Sequence, residues 1–360
     1  MVEVNSPSDI LLSPISTQPT SLTPDRVNAP PVPALGEGSD LEDTDSGYSG
    51  SSVIGYETKT LPSYVTDYRF EYGRRYHAFH DGAYWGPNDK HAEVLQELAH
   101  RMYYTTLGNR LYLAPLVTPQ EILDVGTGTG IWAIETADEY PSARVTGVDL
   151  SPIQPSFVPP NCSFEVDDVT MPWTYASNRF DLIHVREMFG SIPDWDTFFR
   201  QCWECLRPGG YVEVVEHSVE PISEDGGLGS NHIYPLWGES IALAGQASGK
   251  SFSIWRDSAQ RLKDTGFQDV VRLNYRWPTN GSGTDARLCE LGRQNQIRLH
   301  HEAEDISLRL LTSTLKWPYK LAQDFIAQMR FVLKHDETHA YVPVTVVYGR
   351  KPDRTSNTHH

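Results

Sequence analysis

The stretch EILDVGTGTGI, residues 121–131, decides the fold, because an apolar strand here runs into a glycine-rich turn and then into a helix. Gly126, Gly128 and Gly130 allow the chain to turn tightly, a ligand to approach the backbone, and the helix to start close to the strand. The helix N-terminus then presents free N–H groups to an anionic group. Glycine-rich turns also join strands to helices for packing reasons alone, so the neighbouring residues must decide between the two interpretations.

Two carboxylates narrow the choice of ligand. Asp149 ends the next strand, 19 residues after Gly130, where it can accept hydrogen bonds from both hydroxyls of a ribose. Asp124 lies at the end of the loop's own strand, where a dinucleotide-binding loop more often has an apolar residue. A carboxylate there repels a pyrophosphate and attracts an ammonium group. The sign of this charge favours S-adenosylmethionine over NAD.

Short β-branched runs alternate with helical patterns around this motif. The predicted strands are Glu121–Val125, Arg144–Asp149, Ser163–Asp167, Phe180–Val185 and Tyr211–Glu216, with helices at Gly130–Glu139 and Asp196–Leu206. This alternation predicts an α/β protein with a Rossmann-like, doubly wound and mostly parallel sheet.

Two further predicted strands, near Val270–Trp277 and Ala340–Tyr348, flank a helical segment from Asp285 to Lys334. We expect these strands to pair in antiparallel fashion. The segment between them then becomes a helical cap, at about 285–335, that folds over the ligand edge of the sheet.

The composition divides the chain into four regions. Residues 1–55 are rich in Pro and Ser and are acidic, which predicts a disordered tail, as we also expect for residues 351–360. Residues 56–118 are predicted to form an N-terminal helical lid, in which Tyr68, Tyr72 and Tyr76 lie on one helical face. Residues 119–350 form the predicted catalytic domain.

The charge and the apolar content exclude several classes of protein. A net charge of −17 repels nucleic acid and anionic lipid, so we expect no direct nucleic-acid partner. No apolar run approaches the about 18 residues that a membrane helix needs, so no membrane association is expected. The four cysteines have no partner pair at zinc spacing, which predicts no metal site. The expected location is the cytoplasm, and entry into the nucleus is left open.

Five motifs occur in a fixed order along the core: LDVGTGTG at 123–130, GVDLS at 147–151, EVDDV at 165–169, FDLIH at 180–184 and LRPGGY at 206–211. They resemble the successive motifs of class I S-adenosylmethionine-dependent methyltransferases. The resemblance implies a seven-stranded sheet with an antiparallel last strand. It also implies that the loop glycines and Asp124 contact the methionine part of the cofactor and that Asp149 holds its ribose. Asp168 and the Val169 backbone would contact the adenine, with Asp167 as the alternative to Asp168.

A narrower resemblance follows from GRRYHAF at 73–79, GAYW at 82–85, GIWAIE at 130–135 and GVDLSPIQP at 147–155. Together these resemble the fungal LaeA-like methyltransferases over roughly residues 68–350. That family includes enzymes encoded beside natural-product pathways and regulators that associate with velvet-domain proteins. The expected function is therefore methylation of a small-molecule secondary metabolite at oxygen or nitrogen. The alternative is a regulator of secondary metabolism and development that acts in complexes with velvet-domain proteins.

Candidates for the transfer chemistry lie at the carboxyl ends of the predicted strands, where ligands bind in doubly wound sheets. His217 is the candidate general base, because its titration range suits neutral pH. A buried histidine bonded to a backbone carbonyl is the alternative. Arg186 and Glu187 either line the cofactor pocket or pair with each other at the surface.

Aromatic and thiol side chains near these motifs have two interpretations. Tyr76 or Tyr84 can touch the cofactor if the N-terminal segment closes over it. Trp132, inside the cofactor helix, is predicted to be core, as are Cys202 and Cys205.

Overall fold

The computed structural model describes residues 62–223, 228–229, 232–335 and 338–353. The predicted tail at 1–55 lies outside the described residues, as does most of the predicted tail at 351–360.

The N-terminal segment begins with the short helix α1 (Ser63–Thr66) and continues into a hairpin, with β1 (Arg69–Glu71) antiparallel to β2 (Arg74–Tyr76). Its two-residue turn is Tyr72–Gly73, with φ of 53° and 80°. A turn with two positive φ values matches the twist of the paired strands. The prediction that Tyr68, Tyr72 and Tyr76 share one helix is therefore wrong, because Gly73 permits a turn that interrupts the helical spacing.

The helix α2 (Lys90–Thr106) follows the hairpin. Asp89 caps its N-terminus by accepting a hydrogen bond from the Ala92 N–H at 3.1 Å. The buried face of α2 includes Leu95, Met102 and Tyr103. This helix is the part of the predicted lid that has the expected structure.

Among the described residues, eight strands form the central sheet. They are β3 (Glu121–Val125), β4 (Arg144–Asp149), β5 (Cys162–Val166), β6 (Phe180–Arg186), β7 (Leu206–His217), β8 (Ile222–Ser223), β9 (Gln268–Pro278) and β10 (Ala340–Arg350). The spatial order is β5-β4-β3-β6-β7-β10, with β8 and β9 each paired to β10. Strands β3 to β7 are parallel to their neighbours, and β10 is antiparallel to β7. The predicted doubly wound sheet with an antiparallel last strand is confirmed.

Helices pack around the central sheet. They are α3 (Ile131–Glu139), α4 (Trp195–Cys205), α5 (Ile233–Ser248), α6 (Ile254–Thr265), α7 (Ala286–Arg309), which continues into a π-helical turn at Leu310–Thr314, and α8 (Tyr319–His335). Helices α7 and α8 lie between β9 and β10 in the chain, where the sequence predicts the cap. The strand order changes direction at β3 and β6, so the carboxyl ends of these strands border the crevice in which ligands bind in such sheets.

The core packs between the sheet and these helices. Trp132 is 1 % exposed, stacks on His184 with ring centroids 3.8 Å apart, and donates from its indole N–H to the Leu111 carbonyl at 2.8 Å. Cys202 and Cys205 are buried in the same way. The prediction that these three side chains belong to the core is confirmed. Within the described residues no helix is both long enough and apolar enough to cross a membrane.

Candidate functional site

The glycine-rich turn has the backbone conformation that its sequence predicts. Gly126 and Gly128 have φ of 70° and 56°, values that side-chain-bearing residues rarely adopt. A Cβ at position 126 would collide with the Met188 sulfur, and one at position 128 would lie 2.5 Å from Gln96 Oε1. There is no space for a side chain at either position. The backbone of both glycines therefore lines the cleft above β3 directly.

Asp124 lies behind this turn and is 3 % exposed. Its carboxylate accepts a hydrogen bond from Thr127 Oγ1 at 2.6 Å and one from His184 Nδ1 at 2.8 Å. Burial lowers the pKa of His184, which keeps its ring neutral at neutral pH. Asp124 is not among the described residues that line the cleft. Its hydrogen bond to Thr127 instead holds the glycine-rich loop in place. Its predicted contact with an ammonium group stays a prediction.

Asp149 ends β4 and faces the cleft. Its two oxygens accept hydrogen bonds from the backbone N–H groups of Gly128 and Ser151, each at 2.9 Å. Burial raises the pKa of this carboxyl to about 6. Each carboxylate oxygen keeps a further lone pair for a ligand hydroxyl. This geometry fits a ribose.

Asp168 and Val169, which follow β5, also line the cleft. The Asp168 carboxylate lies 2.7 Å from His80 Nδ1 and accepts from the Thr170 N–H and hydroxyl at 2.9 and 2.6 Å. Asp167 lines the same end of the cleft. Because these contacts engage both oxygens of Asp168, the choice between Asp167 and Asp168 as the adenine contact remains open.

These elements enclose about 1050 Å³ of empty space, counting the open solvent at its mouth. We call this space the cofactor cleft. Six of its lining residues are predicted from the sequence as cofactor contacts, with Asp167 as the alternative to Asp168: Gly126, Gly128, Asp149, Asp167, Asp168 and Val169. The N-terminal segment supplies one wall through Ala83, Tyr84, Pro87 and Asn88. The glycine cradle and the outward-facing lone pairs of Asp149 fit a nucleoside that carries an amino-acid chain.

A second cavity opens from the cofactor cleft beneath α7. It encloses about 460 Å³, again counting open solvent, and shares Tyr84, Pro87, Gln96 and Glu187 with the cleft. Its other lining residues come from the N-terminal segment, α2, the loop after β6 and α7: Trp85, Ala92, Leu95, Phe189, Arg298, Glu302, Asp305 and Ile306. We call it the cap cavity.

His217 is 1 % exposed and lines neither cavity. Its Nδ1 lies 2.8 Å from the Ser218 carbonyl oxygen, and its Nε2 contacts the Arg298 guanidinium and lies 3.4 Å from Glu187 Oε1. A general base needs a free lone pair for the proton that it removes, and here both ring nitrogens have partners within the protein. The geometry therefore gives His217 a structural place between Arg298 and Phe189, and favours the alternative of a buried, hydrogen-bonded histidine.

Sequence reasoning placed some of the site and missed the rest. Tyr84, Arg186 and Glu187 lie in the cofactor cleft, whereas Tyr76 is buried outside it. The cap-cavity residues Arg298 and Glu302 were not foreseen. They stand at i and i+4 on a long helix, a spacing that also describes ordinary solvent-exposed ion pairs.

Comparisons with known proteins identify the family of this chain. A family model described as "Methyltransferase domain" matches residues 98–271. "Methyltransferase pytC" of Aspergillus terreus is 35 % identical over 295 residues, which cover 81 % of this chain and 91 % of that protein. "Protein-methionine methyltransferase laeA" of Emericella nidulans is 32 % identical over 289 residues, which cover 79 % of this chain and 76 % of that protein.

Among solved structures, phosphoethanolamine N-methyltransferase 2 of Haemonchus contortus in complex with S-adenosyl-L-methionine is similar to this chain. It is 20 % identical, with a TM-score of 0.42, and the match covers 72 % of this chain and 52 % of that one. The family match and the curated relatives are methyltransferases, and the cofactor is S-adenosylmethionine. The chain belongs to the LaeA-like family of S-adenosylmethionine-dependent methyltransferases.

Proposed function

We propose that this methyltransferase acts on a small-molecule secondary metabolite, at oxygen or nitrogen. The cap cavity carries the proposal, because it joins the cofactor cleft at Tyr84 and Glu187 and has one wall formed by α7. A small acceptor held there lies beside the cofactor, and a displacement at a methyl group needs the two reactants to be held next to each other. The relation to the methyltransferase pytC supports the methyl transfer itself.

In this proposal the chain holds the cofactor through five groups at the carboxyl edge of the sheet. Asp149 accepts from the ribose hydroxyls, and the backbone at Gly126 and Gly128 lies against the methionine part. Asp168, or Asp167 in its place, lies against the adenine together with the Val169 backbone. When bound, S-adenosylmethionine supplies an electrophilic methyl group, whose bond to sulfur breaks with both electrons left on sulfur.

The first test is a calorimetric titration of the purified protein with S-adenosylmethionine, with Gly128→Arg as the comparison. The arginine cannot adopt the positive φ without strain and its side chain would fill the loop's free space, so binding should be lost. The second step incubates wild type with cofactor and a fungal metabolite extract, and follows S-adenosylhomocysteine release and methylated products by mass spectrometry. Cofactor binding without any methylated metabolite contradicts the proposal.

A second function is favoured by one observation: the Met188 sulfur lines the cofactor cleft next to Gly126. The relative laeA is named a protein-methionine methyltransferase and a secondary metabolism regulator. We therefore also consider a regulator that methylates protein methionine, its own included, and acts in the nucleus in complexes with velvet-domain proteins. The metabolite-directed enzyme would instead act in the cytoplasm.

Mass spectrometry separates the two functions. Incubation of the purified protein with S-adenosylmethionine should add one methyl group at Met188 under the regulatory proposal, and the Met188→Leu variant should remain unmodified. Retention of a purified velvet-domain protein by the immobilised chain would support the same proposal. An unmodified wild-type protein that binds cofactor and fails to retain that partner would leave the metabolite-directed enzyme.

A further inference from the structure

The cap cavity has an aromatic and apolar wall. Trp85 and Phe189 lie nearly parallel, with ring centroids 5.8 Å apart and an interplanar angle of 18°, and Tyr84 packs against Trp85 at 5.0 Å. The Trp85 indole N–H donates to the Phe189 carbonyl at 3.1 Å, which fixes the ring in place. Such a wall favours a flat, apolar molecular body.

The opposite end of the cavity is polar, and several of its buried atoms have no hydrogen-bond partner among the described residues. These atoms are Arg298 Nη1, Glu302 Oε2 and Glu187 Oε1, the last of which makes no hydrogen bond although it lies 3.4 Å from His217 Nε2 and 3.6 Å from Arg298 Nη2. Arg298 is 1 % exposed, so its guanidinium has lost its hydration. Buried polar groups are almost always hydrogen-bonded, because an unpaired one costs about 1–3 kcal/mol. Three unpaired atoms around one cavity therefore indicate a ligand that supplies the missing partners.

The charges in this end of the cavity nearly cancel. Burial raises the pKa of Glu302 to about 8, so this carboxyl is mostly protonated at neutral pH. Burial also raises the pKa of Glu187, but His217 and the Arg298 guanidinium lower it by more, so Glu187 is ionised. Asp305, which also lines the cavity, is paired with Arg74, so Arg298 and Glu187 remain as one positive and one negative side chain. A neutral ligand fits this balance, whereas a charged ligand would leave one buried charge without a counter-ion.

We propose that the cap cavity binds the methyl acceptor, and that this acceptor is a neutral, planar compound with a hydroxyl group next to a carbonyl group. The carbonyl accepts from Arg298 Nη1, and the hydroxyl donates to Glu187, which borders both cavities. Arg298 Nη2 and Glu187 Oε1 lie 3.6 Å apart, so oxygens on neighbouring carbons can reach both residues. This inference rests on the proposed function as a metabolite methyltransferase.

The test uses 2-hydroxy-1-phenylethanone, in which the hydroxyl and the carbonyl are on neighbouring carbons, as the probe. Acetophenone, which lacks the hydroxyl, is its control. Both are titrated calorimetrically into the full chain saturated with S-adenosylhomocysteine. Wild type should bind the probe about tenfold more tightly than acetophenone, the equivalent of one hydrogen bond to a charged group. Glu187→Gln should lose this preference, whereas Arg298→Met should weaken the binding of both compounds, because both carry the carbonyl that accepts from Arg298.

Arg293→Met is the matched control for Arg298→Met, since Arg293 lies on the exposed face of α7 in an ion pair with Glu290 and should keep wild-type probe binding. Because Arg298→Met leaves the ionised Glu187 without its cation, the double variant Arg298→Met/Glu187→Gln provides a second test with less risk to folding, and it should also bind the probe more weakly than wild type. Binding of S-adenosylhomocysteine by each variant shows that it is folded.

The outcomes separate this inference from the proposed function. A wild-type protein that binds S-adenosylmethionine but does not prefer the probe over acetophenone overturns the acceptor class and leaves the proposed function standing. The same holds if folded Glu187→Gln keeps the preference, or if folded Arg298→Met binds both compounds as tightly as wild type. Failure of wild type to bind S-adenosylmethionine overturns the proposed function and the inference with it.

Discussion

Replacement of Asp149 by asparagine should make the protein more stable and its cofactor binding weaker. Asp149 is held at the end of β4 by two backbone N–H groups, and burial raises the pKa of its carboxyl to about 6 from an ordinary 3.8. A carboxyl with a raised pKa stabilises the fold below its unfolded pKa and loses that contribution as the pH rises through the folded value. At neutral pH the ionised Asp149 carboxylate therefore destabilises the fold of the protein without cofactor.

The magnitude follows from the shift. A shift of about two pKa units, at about 1.36 kcal/mol each, lowers the free energy of unfolding by about 3 kcal/mol at neutral pH. An amide keeps only one of the two backbone hydrogen bonds, which costs about 1–2 kcal/mol. The net gain for Asp149→Asn is about 1–2 kcal/mol, or about 2–6 °C in melting temperature for a domain of this size. Loss of charged hydrogen bonds to the ribose should weaken cofactor binding by about 1.5–3 kcal/mol, which is about 10- to 150-fold.

Thermal melting and calorimetric titration with S-adenosylmethionine, each repeated between pH 5 and 8, test both arms. The affinity of wild type should rise as the pH passes about 6 and Asp149 ionises, whereas the variant should show no such rise. Asp138→Asn, an exposed carboxyl on α3, is the matched control and should change neither quantity. Unchanged affinity in Asp149→Asn would refute the assignment of this residue to the ribose.

Three other substitutions test separate parts of the structure. Gly126→Ala should lower stability by about 1–2 kcal/mol and weaken cofactor binding, because φ is 70° and a Cβ meets Met188; denaturant unfolding and calorimetry measure the two effects, and wild-type values would contradict the loop geometry. Glu213 accepts hydrogen bonds from the Leu113 and Ala114 N–H groups, and burial raises its pKa to about 7, so wild-type melting temperature should fall as the pH rises from 5 to 8. Glu213→Gln should show a smaller fall, and an identical slope would count against this residue. Arg74→Met should cost about 3–5 kcal/mol in urea unfolding, because it leaves Asp305 without its cation, and Arg74→Met/Asp305→Asn should recover part of the loss; equal instability of both variants would contradict the ion-pair explanation.

The core of the fold was predictable because its signals are local. Runs such as Phe180–Val185 are mainly apolar over the length of one strand, and their boundaries agree with the structure to within one residue. Strand β7 begins at Leu206, earlier than the predicted Tyr211. Its first residues were not predicted as strand because Pro208 and Gly209 are typical of a turn. The hairpin at residues 69–76 was missed because its tyrosines recur at helical spacing while Gly73 alone marks the turn.

The cap cavity was not predictable from the sequence for a different reason. Arg298 and Glu187 lie 111 positions apart in the chain and meet only because β9 and β10 place α7 above the end of β6. Each residue taken alone looks like an ordinary surface charge. Their burial and their unpaired atoms depend on the tertiary packing, which no local pattern records.

The backbone at Glu187 adds an independent reason to regard it as functional. This residue has φ of 53°, a left-handed conformation that costs a non-glycine residue about 1–2 kcal/mol, and its N–H is held by the Val215 carbonyl at 3.1 Å. Glycine at this position would relieve the strain, yet the chain has a glutamate whose carboxylate borders both cavities. Strain of this kind persists where the surroundings fix the conformation, and it is concentrated at binding sites. The strained turn at the end of β6 thus directs the Glu187 carboxylate to the junction where cofactor and acceptor must meet.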